Sequence, residues 1–550
     1  MGFNELYLHC GYKLTRPMRR RNRAAVFATA TLLLLAGCAS TELDQVLPGG
    51  IFKGAVVADE PLAARAAMEM LAKGGSAADA AVAAYFTLAV TYPSAASLGG
   101  GGVCMVSDWD RGEVFALDFV APKSSATDAY RATAVPANVR GMAALHARYG
   151  YLDWRTLLAP AEKTARFGEP QTRASAAAYA TGGEALLAQT EARGTFAPRG
   201  ALPGEGQSLP QSDLADVLAE IRLNGAGSLY KGPLADRLVR AVEKAGGSLV
   251  RQDLWNFKPI WQPVAGVRYG NDRVYVAPPP AGGGLVAGQM WQMLAGGKRF
   301  AKADQGERNH LLAESARLAF AGRARWLASD GTNMQLGDLL SEEAASKNMA
   351  GYSATKTGGQ GGADNGPPRQ SGAPASTGVV AMDYLGGAVA CSFTAYRPFG
   401  TGWVAPGTGI LLAPSPEPAD RNPLSLNPVM IFNPQVRSMK FAGTGGDGAE
   451  GVTALVNVAA AAVIGGQRLD KQIGRPRVHN AGGTTVYLES AAGDDTAGEL
   501  AGRGQSVTTV KSLGRVNAIH CPSGYPVDPE KVLCWAVSDP RGYGLAAFPE

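Results

Sequence analysis

Aromatic residues are scarce in this 550-residue chain, at 7%, and metal-binding side chains are few and scattered. His9, His146, His310, His479 and His520 lie far apart and no Cys-x-x-Cys occurs, which argues against a zinc or iron–sulfur centre; no metal and no cofactor is expected. A strong charge of one sign is lacking too. Much of the net +5 sits ahead of Ala24, in Lys13, Arg16, Arg19, Arg20, Arg21 and Arg23, so nucleic acid is not an expected partner. No internal repeat is evident, which excludes a solenoid. The apolar run at 24–35 is too short to span a bilayer as an ordinary helix. What the chain does have is glycine, 71 residues of it, and much alanine. Closely approaching backbones and many tight turns follow from that, and they favour a layered α/β fold.

The basic stretch to Arg23, the apolar run and Leu35-Ala36-Gly37-Cys38 together read as an export signal, with Met18 as a second candidate start. The arrangement resembles a bacterial lipoprotein signal in which Cys38 takes the lipid. Residues 1–38 are then removed or modified, and the remainder is expected outside the cytoplasm as a periplasmic lipoprotein. Ala39 and Ser40 lack the Asp that commonly retains such proteins at an inner membrane, so the outer membrane is the expected anchor. Of the four later cysteines, Cys104 and Cys391 lie in apolar strand-like runs and read as small buried thiols. Cys521 and Cys534 flank a turn-rich Pro-Ser-Gly-Tyr-Pro segment and are placed to close a hairpin with a disulfide.

Helical spacing follows Asp59-Glu60-Pro61, and a second helix starts at Ser76 and Asp79. Gly99-Gly100-Gly101-Gly102 then leads into a strand. Glycines ahead of a strand suit close backbone approach better than a phosphate cradle. Helical patterns cover most of 135–265, and 310–327 reads as an amphipathic helix with Glu314 on its polar side. A tract at 351–374, rich in Gly, Ser, Thr, Pro and Gln, reads as a loop. At Ser376-Thr377-Gly378-Val379-Val380-Ala381-Met382-Asp383 the pattern turns abruptly to strand. With Ala388-Val389-Ala390-Cys391-Ser392-Phe393-Thr394 it reads as a β-hairpin. A Ser-Thr pair there ordinarily just begins a strand. It is also where a precursor could cut itself and expose a hydroxyl nucleophile beside its own α-amine.

Six motifs taken in order, over roughly 51–550, resemble the gamma-glutamyltransferase family. They are the helix pair through Lys73-Gly74-Gly75-Ser76-Ala77-Ala78-Asp79, the Gly99 run, Pro278-Pro279-Pro280, Phe399-Gly400-Thr401-Gly402, Gly443-Thr444-Gly445-Gly446, and Ser538-Asp539-Pro540-Arg541-Gly542. The resemblance implies a four-layer αββα sandwich of the amino-terminal nucleophile hydrolase type. It implies a large segment at 39–375 and a small catalytic segment at 376–550 that stay associated after self-cleavage. By the same resemblance Ser376, or Thr377 if the cut slips by one residue, is the nucleophile. Thr394 is its supporting hydroxyl, and Gly445 and Gly446 hold the oxyanion.

The substrate grip departs from the family pattern. Leu117-Asp118-Phe119-Val120-Ala121-Pro122 is two residues shorter and lacks the Arg that binds a glutamyl carboxylate, for which Lys123 or Arg397 could substitute. Tyr396 replaces an Asn, the lid reads Ala413-Pro414-Ser415-Pro416-Glu417-Pro418, and a Ser-Ser pair is reduced to Ser425-Leu426. A retained nucleophile with a replaced grip implies an acyl-enzyme hydrolase or acyltransferase acting on a gamma-glutamyl or other small peptide or amide substrate. The alternative is a non-catalytic envelope lipoprotein that binds a peptide or protein on the same scaffold.

Overall fold

Alternating apolar residues and glycine-punctuated turns produce two antiparallel sheets in the computed structural model, which describes residues 52–126, 131–326, 336–358, 374–416, 423–526 and 533–549. The signal with Cys38, most of the loop tract, and Glu417 and Pro418 lie outside these residues. In chain order the strands of the two sheets are β1 (Gly54–Ala58), β2 (Gly101–Asp108), β3 (Glu113–Phe119), β4 (Ile260–Pro263), β5 (Ala265–Tyr269), β6 (Asp272–Val276), β7 (Ser376–Asp383), β8 (Ala388–Thr394), β9 (Val429–Asn433), β10 (Ser438–Gly446), β11 (Arg515–Tyr525), β12 (Trp535–Ser538) and β13 (Leu545–Ala547). The first sheet runs β13-β1-β7-β8-β2-β3-β4 and the second β12-β11-β10-β9-β6-β5. Strands from both sides of position 376 are interleaved: β7 pairs with β1 on one side and β8 on the other, and β8 pairs with β2.

The period of two along β7 separates two apolar layers. Val380 and Met382 join Val57, Met105 and Ala390 in a core between the sheets, where they meet Met430, Phe432, Met439 and Ile519. Val379 and Ala381 point the other way, into a core with helices α1 (Pro61–Ala72) and α2 (Ala77–Thr91). Helices α3 (Gly282–Ala295) and α4 (Ala449–Ala459) cover the outer face of the second sheet, against Val274, Ile431, Phe441 and Val516. Each such buried side chain contributes roughly 1.5–3 kcal/mol relative to exposure, so the order helix, sheet, sheet, helix is strongly specified.

Helix α2 is buried along its whole length, and its alanines allow it to lie close on the sheet. Ser76 caps it by a reciprocal pair of bonds with Asp79. The Ala77 N–H donates to Asp383 Oδ2 at 2.9 Å, tying the helix start to the end of β7.

Two readings from the sequence are corrected. Glu314 is not on a polar face: it is buried and bonded to Arg317 at 2.7 Å, since the helix Gln305–Trp326 is covered on that side as well. Cys104 and Cys391 are not free thiols. They stand directly opposite each other in β2 and β8 and form a disulfide, a pairing that isolated apolar runs cannot reveal. Cys521 and Cys534 also form a disulfide, closing the β11–β12 connection.

Candidate active site

Strand alternation gives the two candidate hydroxyls different surroundings. Ser376 shares the inter-sheet face of β7 with Gly378, where a Cβ would clash with Thr444 Oγ1, so only glycine allows β10 to approach this closely. At that approach the Asp447 N–H donates to Ser376 Oγ at 3.2 Å. Thr377 faces the opposite way and donates to Asp59 Oδ2 at 2.8 Å. The Gly378 N–H also reaches Asp59 Oδ2, at 3.3 Å, and Asn517 donates to Asp59 Oδ1 at 3.0 Å and to the Gly378 carbonyl at 3.1 Å. Thr377 is thereby built into an anchor, while Ser376 Oγ meets a backbone N–H.

The carbonyl preceding Ser376 is held by two donors. Thr394, opposite Ser376 in the β7–β8 register, donates its hydroxyl to the Ala375 oxygen at 2.9 Å, and the Ala395 N–H donates to the same oxygen at 3.3 Å. The Tyr396 N–H donates to Thr394 Oγ1 at 2.9 Å, which orients the hydroxyl's own proton toward Ala375. Two converging donors polarise this carbonyl and match the charge that develops on its oxygen under nucleophilic attack. In the uncut chain Ser376 is 1% exposed, so solvent scarcely reaches its side chain.

Gly445 and Gly446 end β10 beside the site. The Gly445 N–H donates to Asn427 Oδ1 at 2.7 Å, and the N–H that meets Ser376 Oγ belongs to the next residue but one, Asp447. Asp447 has φ +78°, a conformation uncommon outside glycine. Its carboxylate receives Arg515 Nε and Nη2, both at 2.8 Å. Arg515 Nη1 donates to the Tyr92 hydroxyl at 2.7 Å and Nη2 to the Ser376 carbonyl at 3.4 Å. Burial alone would lower the Arg515 pKa, but Asp447, Tyr92 and Asp59 outweigh it and hold the guanidinium charged.

The expected grip is held largely by contacts to the main chain. Tyr396, at φ +64°, donates its hydroxyl to the Ala121 carbonyl at 2.6 Å. Ala121 in turn lies so close to Gly101 that any Cβ there would clash, and Gly100 meets the Thr394 carbonyl in the same way. The glycine run is therefore where the 119–122 turn and the end of β8 converge, as close backbone approach requires. The lid is tied down through Ser415 N–H to the Ala132 carbonyl and Ala134 N–H to the Ala413 carbonyl. Arg397 and Lys123 are exposed and Ser425 is half-buried. Among the described residues, the cation brought against Ser376 is Arg515.

Sequence reasoning missed Asp59, Asp447 and Arg515. In the sequence Asp59 reads as part of a helix start signal, although Glu60 is the residue that caps α1. Arg515 had a visible signal: an arginine opening a largely apolar, strand-like run requires a partner where that run is buried.

A sequence profile of the gamma-glutamyltranspeptidase family matches residues 63–548. A protein of Pseudomonas aeruginosa named glutathione hydrolase proenzyme is 31% identical over 421 residues, 70% of this chain and 71% of that protein. An Escherichia coli protein of the same name is 27% identical over 550 residues, 91% of this chain and 92% of that one. Among solved structures, cephalosporin acylase from Bacillus halodurans has a TM-score of 0.78 at 24% identity, covering 98% of this chain and 99% of its own, and shares the αββα fold of amino-terminal nucleophile hydrolases. With the profile spanning most of its length, the chain belongs to the gamma-glutamyltranspeptidase family.

Proposed function

We propose that this chain is a precursor that cuts itself between Ala375 and Ser376 and then uses Ser376 to transfer acyl groups from an amide or peptide to water or an amine. One observation carries the reading: the Ala375 carbonyl is held by Thr394 and Ala395 immediately beside a hydroxyl that receives the Asp447 N–H. In the first step Ser376 Oγ attacks the Ala375 carbonyl carbon. The hydroxyl proton passes to the departing Ser376 nitrogen, the C–N bond breaks and an ester forms. Water then hydrolyses the ester, leaving a carboxylate on Ala375 and a free Ser376 bearing an α-amine.

That amine, with an ordinary pKa of about 8, takes the Oγ proton in each later turnover. Oγ attacks the substrate carbonyl, the proton goes to the leaving amine, and the acyl-serine is released to water or to an acceptor amine. Relatives named glutathione hydrolase make a γ-glutamyl donor the first candidate. The absent Arg and the Tyr396–Ala121 contact favour a donor whose acyl end carries no carboxylate to be gripped.

The mature protein is proposed to sit in the envelope, tethered by lipid on Cys38. The two disulfides support an oxidising compartment. Turnover of a panel of acyl anilides by the wild-type protein and by Ser376→Ala tests the enzyme reading. Release of an aniline by the wild type alone supports it, and equal rates with both proteins, or none with either, would overturn it.

A further inference from the structure

Resting on that reading, we infer that the Arg515–Asp447 ion pair is a positioning device for Ser376 rather than a substrate grip. The pair holds Ser376 at two atoms: the Asp447 N–H at Oγ and Arg515 Nη2 at the carbonyl. The direction of that N–H depends on Asp447 keeping φ +78°. A non-glycine residue persists there only when its surroundings over-determine it. The two-pronged bond to Arg515 supplies this, and Arg515 is itself fixed by Tyr92 and 8% exposed in its side chain. Both carboxylate oxygens of Asp447 are committed to Arg515. The guanidinium is thus neutralised within the protein and does not replace the missing carboxylate-binding Arg.

The test must separate positioning from simple structural support. Asp447→Ser leaves a buried arginine unpaired, so the double variant D447S/R515M, which removes both charges, should regain most of the Tm that D447S loses. Positioning requires that self-cleavage in the double variant nevertheless stays at least tenfold slower than wild type. In its cleaved fraction kcat should fall while KM stays within about twofold. Because glycine adopts positive φ freely, D447G/R515M should cleave faster than D447S/R515M. A double variant that regains both Tm and cleavage rate would make the pair merely structural and overturn the inference. Failure of the wild type to cleave would instead remove the reading beneath it.

A separate observation carries a second inference: the Cys104–Cys391 disulfide joins the two segments across the cut. Cys104 precedes position 376 and Cys391 follows it, both are fully buried, and Cys391 lies three residues before Thr394. Cleavage would then yield fragments that remain one covalent unit, with the Thr394 strand strapped to the glycine-rich β2. Mass analysis of unreduced proteolytic peptides should find the linked pair, and denaturing gels should show two fragments only with reductant. Absence of the linked peptide, or separation of the fragments without reductant, would refute the strap.

Discussion

The two ends of the Ser376 site are built from different materials. At the proposed nucleophile, backbone N–H groups and the Thr394 hydroxyl converge on Ala375 and Ser376, supported by the partly buried Asp447–Arg515 pair. At the other end an aromatic ring is bonded to the main chain at Ala121, and the described part of the lid lies against residues 132–134. The first arrangement supplies preorganised charge stabilisation. The second offers little to read a charged acyl donor. On the proposed reading, bond-breaking chemistry and substrate selection should therefore be separable by substitution.

The largest effect belongs to the nucleophile. Ser376→Ala should leave the chain uncut and abolish anilide turnover, as read on reduced denaturing gels and by absorbance. Thr394→Ala removes the stronger donor to the Ala375 carbonyl and leaves the Ala395 N–H, so self-cleavage should slow by roughly 10²-fold, in line with the loss of one oxyanion donor. At the other end, Tyr396→Phe deletes the bond to Ala121. It should leave the self-cleavage rate within about twofold while changing KM for acyl anilides severalfold; an equal effect on both would erase the distinction between the ends. An uncharged acyl anilide should outperform its γ-glutamyl counterpart in kcat/KM, and strong preference for the γ-glutamyl compound would show that another group grips the carboxylate.

The smallest effect concerns Asp118, whose pKa burial pushes up to about 6, with bonds from Val120 and Gln262 only partly opposing it. A raised carboxyl pKa means that the folded form binds the proton more tightly than the unfolded chain. The stability this contributes is complete below the usual value of about 4 and is lost as pH rises through about 6. Asp118→Asn, insensitive to this loss, should therefore gain on wild type in Tm between pH 4 and pH 8. A constant difference across that range would contradict the assignment.

Much of the layout was legible because periodicity and turn chemistry are local. The Ser76 cap, the β7–β8 hairpin and the glycine run each announce themselves within a short stretch of chain. The site was legible only where it lies along one strand, at Ser376 and across the hairpin at Thr394. Asp59, Asp447 and Arg515 reach Ser376 or Thr377 from three distant parts of the chain, and no local pattern encodes that meeting. The Cys104–Cys391 bond was hidden for the same reason: its partners are 287 residues apart and meet only through the β2–β8 register.

The most direct test of the account is the amino-terminal sequence of the smaller fragment released on reduction and denaturation of the purified protein. A fragment beginning Ser376-Thr377-Gly378 is the expected result. A chain that stays intact under those conditions, or a fragment that begins at Thr377, would contradict the assignment of Ser376 as the hydroxyl that cuts the chain and then carries the acyl group.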